Sequence, residues 1–319
     1  MKKIIIFSLV FVSLFSCKDD NAIETEIAKI ETNFVVERFD RAFANTKPEE
    51  LTDLKTAFPF LFPNRVPDSI WFERMQDSNQ ILLNKATHEK FGDFENVTND
   101  IENLYQHLRY YDKTFKEPRV ITLINFVNYR EKLIVTDTIA LIAIDNYLGS
   151  DHEIYSGIQR YLVDNMRPSQ IVVDLAKSYA EKQIFQTQKK TLLDEMIYFG
   201  KQLYFKDKVI PFKTDSEKIG YSPEQLEFAK ANENMIWTKF VEDEMLYDTD
   251  SSLPARFIAD APFSKFQLEL DNQTPGRLGQ YIGWQIVRTY MNNNDVSLKE
   301  MLQTEAVEIF NKSNYKPPK

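Results

Sequence analysis

A helix that carries glycine along one side constrains the fold of this chain more than any other feature. The 319-residue chain has only eight glycines, and three of them, Gly276, Gly279 and Gly283, fall within residues 274–291. Spacings of three and four place them on one side of a helix. Each costs about 1 kcal/mol relative to alanine in a helix interior. We therefore expect another backbone or a ligand to approach this side closely.

The same segment has the other features of a buried helix. Thr274 is suited to cap it and Pro275 to occupy its first position, and the residues between the glycines are mostly apolar. Arg277 would lie in the first turn, where a cation opposes the helix dipole, so it requires an acidic partner or an anionic ligand. Arg288 would share its face with Tyr281. We assign these residues to a candidate partner or ligand cleft: Gly276, Arg277, Gly279, Tyr281, Gly283 and Arg288.

The first seventeen residues predict a lipoprotein. Lys2 and Lys3 precede an apolar run, residues 4–15, that is too short to span a bilayer. Leu14-Phe-Ser-Cys17 ends like a lipobox, and Cys17 is the only cysteine in the chain. Because a lone cysteine makes no internal disulfide, we interpret Cys17 as a site of thioether acylation. The lipid would anchor the protein to a membrane of the cell envelope, with the membrane and leaflet left open.

Composition limits the partners and the number of domains. Removal of Lys2 and Lys3 leaves 37 basic against 48 acidic residues, a balance of −11, and no basic cluster remains. Nucleic acid is therefore not an expected partner. No linker or internal repeat interrupts the body. We divide the chain into a signal peptide (1–16), an acylated tether (17–32) and one compact domain (33–319).

The body is predicted to be α+β and dominated by helices. Three apolar, β-branched segments predict a small sheet of about three strands: residues 119–125, 132–135 and 138–144. Residues 33–40 either form a further short strand or begin the fold. Helices are predicted at 69–85, 99–111, 168–188, 191–204, 222–232, 234–246, 275–291 and 297–310. Helices clustered after a small sheet indicate α+β, without the alternation of a doubly wound fold.

No catalytic constellation stands out, and we predict no metal and no cofactor. The only histidines, His88, His107 and His152, form neither HxxxH nor HExxH, and the body lacks cysteine for sulfur-ligated metals or thiolate catalysis. There is no glycine-rich phosphate loop, nucleophile elbow or EF-hand. The cluster Asp151-His-Glu153 either caps a loop or positions a functional histidine.

Six segments in order along the chain carry a family resemblance. They are Glu37-Arg-Phe-Asp40, Asp145-Asn-Tyr-Leu-Gly149, Ile219-Gly-Tyr221, Asn232-Glu-Asn-Met-Ile-Trp237, Ala261-Pro-Phe263 and the glycine-striped Pro275–Arg288. With the lipobox-like ending they resemble the GldB family of gliding-motility lipoproteins over essentially the whole chain. The resemblance implies a lipid-anchored envelope protein required for gliding, with other gliding and secretion proteins of the envelope as its partners. It also implies an association with the machinery that secretes surface adhesins.

The family is similar in outline to a zincin-type metallopeptidase, in which an active-site helix follows a small sheet. Helix 191–204 stands where HExxH would lie and reads Asp194-Glu-Met-Ile-Tyr198. Glu195 matches the general-base position, whereas both histidines are missing, and a zinc site of this type needs both. The resemblance therefore implies a zincin-like scaffold without the zinc motif, with Glu195 at a vestigial active-site position.

Two functional hypotheses follow. In the first, the protein is not an enzyme and holds or assembles other envelope components, with a partner bound in the cleft beside helix 275–291. In the second, it is a metal-dependent hydrolase that uses Glu195 with an unusual set of ligands. Glu233 or Glu244 would then supply a carboxylate, and His152 would be a further candidate ligand.

Overall fold

Four short strands form one mixed sheet in the computed structural model, which describes residues 20–186, 190–268 and 271–318. The strands are β1 (Val36–Arg38), β2 (Arg119–Leu123), β3 (Leu133–Val135) and β4 (Ile139–Ala143). The order is β1-β2-β4-β3, with β1, β2 and β4 parallel and β3 antiparallel to β4. The three predicted strands are confirmed. The fourth strand, β1, is only three residues long and pairs with a strand more than eighty positions later.

Helices make up most of the rest of the described chain, which confirms the helix-dominated α+β class. They are α1 (Asp20–Ile27), α2 (Phe39–Asn45), α3 (Leu51–Ala57), α4 (Asp68–Gln76), α5 (Ser78–Lys90), α6 (Glu95–Tyr111), α7 (Arg160–Val163), α8 (Ile171–Glu181), α9 (Leu192–Val209), α10 (Asp215–Ile219), α11 (Pro223–Ala231), α12 (Glu233–Glu242), α13 (Ser252–Phe257), α14 (Leu278–Asn293), α15 (Leu298–Gln303) and α16 (Ala306–Ser313). Within these residues no helix is long and apolar enough to cross a bilayer.

Two segments predicted as single helices are each divided into two. Residues 69–85 belong to α4 and α5, because Asp77 leaves the helical conformation and its carboxylate accepts the backbone N–H of Gln80 at 2.9 Å, as an N-cap. Residues 297–310 belong to α15 and α16, because Thr304 and Glu305 are extended. The predicted helix 168–188 is shorter in the structure, since α8 ends at Glu181; residues 187–189 lie outside the described part.

The glycine-striped helix starts later than predicted. It begins at Leu278 because Arg277 has a left-handed backbone with φ of 61°. The Thr274 hydroxyl does not cap α14; it donates to the carbonyls of Ser264 and Asp271 at 3.0 and 2.7 Å. The buried Ser264 hydroxyl instead accepts the Leu278 N–H at 3.1 Å. Gly276 therefore lies in the loop before the helix and not on its stripe.

The sheet separates two hydrophobic cores. Val120 on β2 faces the main core, and the next residue, Ile121, faces a smaller cluster, as the alternation of side chains along a strand requires. The smaller cluster is formed mainly by aromatic and leucine side chains from the chain between β1 and β2: Phe43, Leu51, Leu54, Phe58 and Phe62. The main core surrounds α9 and α14, and Trp284 at its centre is fully buried.

The first described helix lies within the segment predicted as a tether. Helix α1 packs against α6, with Ile27 almost fully buried and the Glu24 carboxylate 3.2 Å from His107 Nε2. His107 is itself buried, and its Nδ1 lies 2.7 Å from the Asn103 carbonyl. The predicted signal peptide and the predicted acylation site, Cys17, lie outside the described residues.

Candidate binding cleft and the helix crossing beside it

Helices α9 and α14 cross so closely that glycine is required on both. A Cβ added at Gly283 would lie 1.8 Å from the Met196 carbonyl oxygen, and one added at Gly200 would lie 2.3 Å from the Gly283 carbonyl oxygen. Both neighbours are backbone atoms that cannot rotate away. The close approach predicted for the glycine stripe is therefore made by another helix backbone at Gly283.

The other two glycines of the predicted stripe also face parts of the chain. A Cβ at Gly279 would lie 2.9 Å from the Phe257 carbonyl oxygen and 2.8 Å from a methyl group of Ile258. A Cβ at Gly276 would lie 2.2 Å from the Ala261 carbonyl oxygen. The contact at Gly279 packs the end of α13 against the start of α14, and the contact at Gly276 packs the loop before α14 against Ala261. None of the three glycines lines the cleft described below.

Arg288 is held by acidic side chains. Its guanidinium donates to Asp207 and Asp215 at 2.7 to 3.0 Å and lies 3.7 Å from the ring centroid of Trp284. The Trp284 indole N–H donates to the same Asp207 carboxylate at 2.9 Å. Burial acts to lower the pKa of Arg288, but its hydrogen bonds to both carboxylates, together with their charges, outweigh burial and raise this pKa. Arg288 thus links α14 to α9 and α10.

Tyr281 belongs to a second buried polar group. Its hydroxyl donates to Glu233 at 2.7 Å, and the hydroxyl of Tyr315 donates to the other carboxylate oxygen at 2.8 Å. Burial first, and then the Glu233 charge, raises the pKa of both tyrosines. Glu233, one of the carboxylates considered as a metal ligand, therefore joins α12, α14 and the C-terminal segment.

Among the six residues predicted to form a partner or ligand cleft, Arg277 lines a cleft that is open to solvent. Its guanidinium donates to the Gly220 carbonyl at 2.9 Å, lies 5.3 Å from the ring centroid of Tyr221 and stands 3.6 Å from Asp260. It lines a cleft of about 1120 Å³ whose walls are formed by α8 and α9. Residues from the segments 129–133, 157–170 and 258–260, which include the start of β3 and part of α7, complete the rim.

Two polar side chains on one face of α9 form part of the cleft wall. Gln202 and Lys206 are four residues apart and only 3% and 6% exposed. The Lys206 ammonium donates to the Lys218 carbonyl at 2.8 Å, whereas Gln202 Nε2 is buried and makes no well-formed hydrogen bond among the described residues, with the Tyr198 hydroxyl as a neighbouring polar group. Burial, reinforced by the charges of Lys177 and Arg277, lowers the pKa of Lys206 to about 7.

The cleft is rich in cations although the chain is acidic. The basic lining residues are Arg130, Lys132, Lys177, Lys206, Lys218 and Arg277, and the acidic ones are Asp174, Glu181 and Asp260. Asp174 is neutralised by Lys132 at 2.7 Å and also accepts the Tyr147 hydroxyl at 2.8 Å. The whole chain carries a formal charge of −9. The excess of positive groups is therefore local to the cleft, where it favours an anionic ligand.

Sequence reasoning missed Gln202 and Lys206. Both lie in the predicted helix 191–204 or directly after it, where attention fell on Glu195 as a possible vestige of a peptidase. The available signal was a pair of long polar residues, four apart, that enclose the apolar segment Leu203-Tyr-Phe205. Such a pair in a buried helix needs polar partners or a ligand.

A smaller pocket lies where the parallel strands end. It has a volume of about 350 Å³ and is lined by Trp71, Arg74 and Phe126 among others. Phe126 and Val127 both have positive φ, at 60° and 55°, which is rare for a bulky side chain such as that of Phe126 and for a β-branched one such as that of Val127. The Asp145 carboxylate holds this loop by accepting the Val127 N–H at 2.7 Å. Burial raises the pKa of Asp145, against the opposing effect of these backbone hydrogen bonds.

This sheet-edge pocket also brings together two segments of the family resemblance. Asp40, at the end of Glu37–Asp40, lines it and accepts hydrogen bonds from Arg38 at 2.8 and 2.9 Å. Asp145, at the start of Asp145–Gly149, holds its strained loop. Only the parallel pairing of β1, β2 and β4 places these distant segments at one edge.

Glu195 lines neither the cleft nor the sheet-edge pocket. It lies in the first turn of α9, where Asp194 and Thr191 form a capping box. Burial raises the pKa of Glu195, Lys190 lowers it and Asp194 raises it. His152 Nδ1 accepts the Ile154 N–H at 3.3 Å, which is the loop-capping arrangement. Across residues 20–186, 190–268 and 271–318, no group of three or more His, Cys, Asp or Glu side chains is placed to hold a metal ion.

These features define a helix-dominated α+β protein with a cation-lined cleft beside a close helix crossing. The chain belongs to the GldB family, because the family described as "Gliding motility protein GldB" matches residues 20–317. It is therefore a gliding-motility protein of a family named for lipoproteins, which are components of the cell envelope. No curated protein and no solved structure matches the chain. The likeness to a zincin-type peptidase thus stays a prediction.

Proposed function

We propose that the protein is a lipid-anchored component of the gliding-motility machinery that binds another envelope protein and catalyses no reaction. The observation that carries this proposal is the cleft between α8 and α9, which is large and has polar groups aimed into it. A cleft of about 1120 Å³ exceeds the usual size of sites for small ligands, roughly 300 to 1000 Å³. It therefore suits a segment of a macromolecule.

The proposed location follows from the sequence. Acylation of Cys17 would tether the body to a membrane of the envelope, with the leaflet unassigned. The partners would be other gliding and secretion proteins, and a role in adhesin secretion would follow from such contacts. The family match begins at residue 20 and supports this arrangement, in which the folded body follows the anchor directly.

The alternative function, a metal-dependent hydrolase, has one observation in its favour. Glu195 is half-buried, and its pKa is raised, which suits a general base. Against it, the side chains nearest in sequence are used elsewhere, since Asp194 caps the helix with Thr191. A hydrolase would also need a substrate site at Glu195, and Glu195 lines neither of the two pockets described.

A complementation experiment separates the two functions. A deletion strain would receive the wild-type gene or a variant, and cell gliding and protein abundance would be measured together. We expect Glu195→Gln to restore gliding fully and Cys17→Ala to fail. The cleft variant Lys177→Met should reduce gliding at normal abundance, because Lys177 is 46% exposed and its loss leaves the core intact.

Metal analysis of the purified protein tests the alternative directly. The binding proposal predicts no stoichiometric metal and a melting temperature that a chelator does not change. Near-stoichiometric zinc, together with loss of gliding in Glu195→Gln at normal abundance, would overturn the noncatalytic proposal.

A further inference from the structure

We propose that the cleft binds an acidic peptide segment of the partner, with a carboxylate held between Gln202 and Lys206 on α9 and Lys177 on α8. This inference rests on the proposed binding function and adds the chemical class of the ligand. Three kinds of observation carry it: the charge of the lining, an unused buried donor, and the size and mixed character of the cleft.

The charge of the lining selects an anion. Six basic side chains face three acidic ones, and each acid pairs with one of the bases: Asp174 with Lys132, Glu181 with Lys177 and Asp260 with Arg277. Lys218 pairs with Asp207, which is not part of the lining, so the excess positive charge lies at Arg130 and Lys206. The rest of the protein is acidic, so its electrostatic potential repels anions and disfavours their nonspecific binding elsewhere on the surface. An anion that binds this protein is therefore expected to bind at the cleft.

The donors of α9 select an oxygen acceptor. Gln202 Nε2 is buried in a side chain only 3% exposed and makes no well-formed hydrogen bond among the described residues, where the Tyr198 hydroxyl one turn earlier is a neighbouring polar group. Lys206 uses one of its three N–H groups on the Lys218 carbonyl. Buried donors are nearly always satisfied in native proteins. A carboxylate placed over this face of α9 would accept from both side chains.

Charged groups from several elements face Lys206. Lys177, Asp174 and Glu181 approach from α8 and Arg277 from the segment before α14, and Lys218 approaches from α10. Burial first, and then the charges of Lys177 and Arg277, disfavour the protonated form of Lys206 in the free cleft, against the opposing charges of Asp174 and Glu181. A bound carboxylate would offset this repulsion and stabilise the protonated form. Binding and protonation of Lys206 are therefore coupled.

The dimensions favour a peptide over a small anion. The cleft extends along α8 and α9, and apolar side chains lie among its charged ones, including Leu133, Ile158, Tyr161, Phe199 and Ile258. A free phosphate or acetate would leave most of this surface unused. An extended segment that alternates acidic and apolar side chains would contact both kinds of lining.

The test uses the full-length acylated protein in detergent micelles and fluorescence anisotropy. The probe is a fluorescein-labelled hexaglutamate peptide, and labelled hexaglutamine is the uncharged comparison. We expect hexaglutamate to bind at least tenfold more tightly than hexaglutamine. The affinity for hexaglutamate should fall about tenfold between pH 6 and pH 8, as Lys206 loses its proton with a pKa of about 7.

Three variants and a control locate the binding. Gln202→Met and Lys206→Met remove the buried donors with little change in volume, and Lys177→Met removes an exposed cation on the opposite wall. Each should weaken hexaglutamate binding at least fivefold. Lys239→Met removes one charge from α12, outside the cleft, where Lys239 pairs with Asp243, and should leave binding unchanged. Melting temperatures check that each variant is folded.

Two results would overturn the inference. One is hexaglutamate binding that Lys177→Met and Lys206→Met leave unchanged. The other is displacement of the peptide by inorganic phosphate at a concentration equal to its own, which would make the cleft a site for small anions. If Lys177→Met abolishes gliding while hexaglutamate fails to bind, the ligand class is wrong and the binding function stands. Stoichiometric zinc with an essential Glu195 would instead refute the binding function itself.

Discussion

The crossing of α9 and α14 makes a strong prediction at Gly283. Helix propensity alone favours Gly283→Ala by about 1 kcal/mol, because glycine is a poor residue in a helix interior. The structure predicts the opposite sign. The added Cβ would lie 1.8 Å from the Met196 carbonyl oxygen and 2.4 Å from its carbonyl carbon, both in the backbone of α9.

The geometry sets the size of the effect. Because real Cβ contacts are almost never below 3.0 Å, the two helices must separate by about 1.2 Å at this point. A gap of 0.5–1 Å already removes about a quarter to a half of the dispersion energy of the atoms affected. Overpacking of a core typically costs about 1–3 kcal/mol, and sometimes more. Because a separation of this size is severe, we take the upper end of that range, about 3 kcal/mol; after the propensity gain of about 1 kcal/mol, we expect a net loss of about 2 kcal/mol in the free energy of unfolding.

Urea unfolding of Gly283→Ala and Gly200→Ala, singly and together, measures the effect. The two residues open the same crossing, so the double variant should lose clearly less than the sum of the single losses. Gly279→Ala is the matched control, since its closest neighbour is a side-chain methyl group of Ile258 and its closest backbone contact is longer, at 2.9 Å. It should lose less than Gly283→Ala. Equal or higher stability of Gly283→Ala would refute the close crossing.

Three further substitutions test the buried polar groups by urea unfolding. The pKa of Lys206 is about 7 in the folded protein, against an ordinary value of 10.5. Between these two pH values the unfolded chain binds more protons than the folded one, so the free energy of unfolding rises with pH. Lys206→Met should flatten this rise by up to about 1.4 kcal/mol per pH unit. Asp145→Asn should cost about 1–3 kcal/mol, because an amide group would face the N–H groups of Asn125 and Val127. Glu233→Gln should cost a similar amount, because one amide oxygen replaces two carboxylate acceptors of tyrosine hydroxyls.

The sequence predicted helix starts correctly where the capping residues lie within the first turn of the helix. The predicted helices 222–232 and 297–310 start at Ser222 and Ser297, with Gln225 and Glu300 three residues later, and both pairs form reciprocal capping boxes. Such caps depend only on residues within one turn. The predicted start of α14 was wrong because the partners of Thr274 lie outside the helix. The Thr274 hydroxyl donates to the carbonyls of Ser264 and Asp271, and Arg277 takes a left-handed backbone conformation just before the helix.

The candidate site was predicted only in part, for a related reason. Glycine spacing showed that something must approach α14 closely, but it did not distinguish a helix from a ligand. The opposing glycine, Gly200, stands alone in α9 and gave no periodic signal. Arg277 does line a cleft, yet its neighbours Gln202 and Lys206 come from a helix some seventy residues earlier. Only the tertiary fold brings them together.

Helix α9 connects the stability of the core to the proposed binding site. Gly200 on one face meets α14, whereas Gln202 and Lys206 on another face line the cleft. Asp207 binds Arg288 of α14. A shift of α9 at the crossing must therefore move both cleft donors, so Gly283→Ala should weaken peptide binding and stability together. Lys177 lies on α8, outside the crossing, and its substitution should weaken binding alone. This difference separates a defect of the cleft from a defect of the fold when gliding is lost.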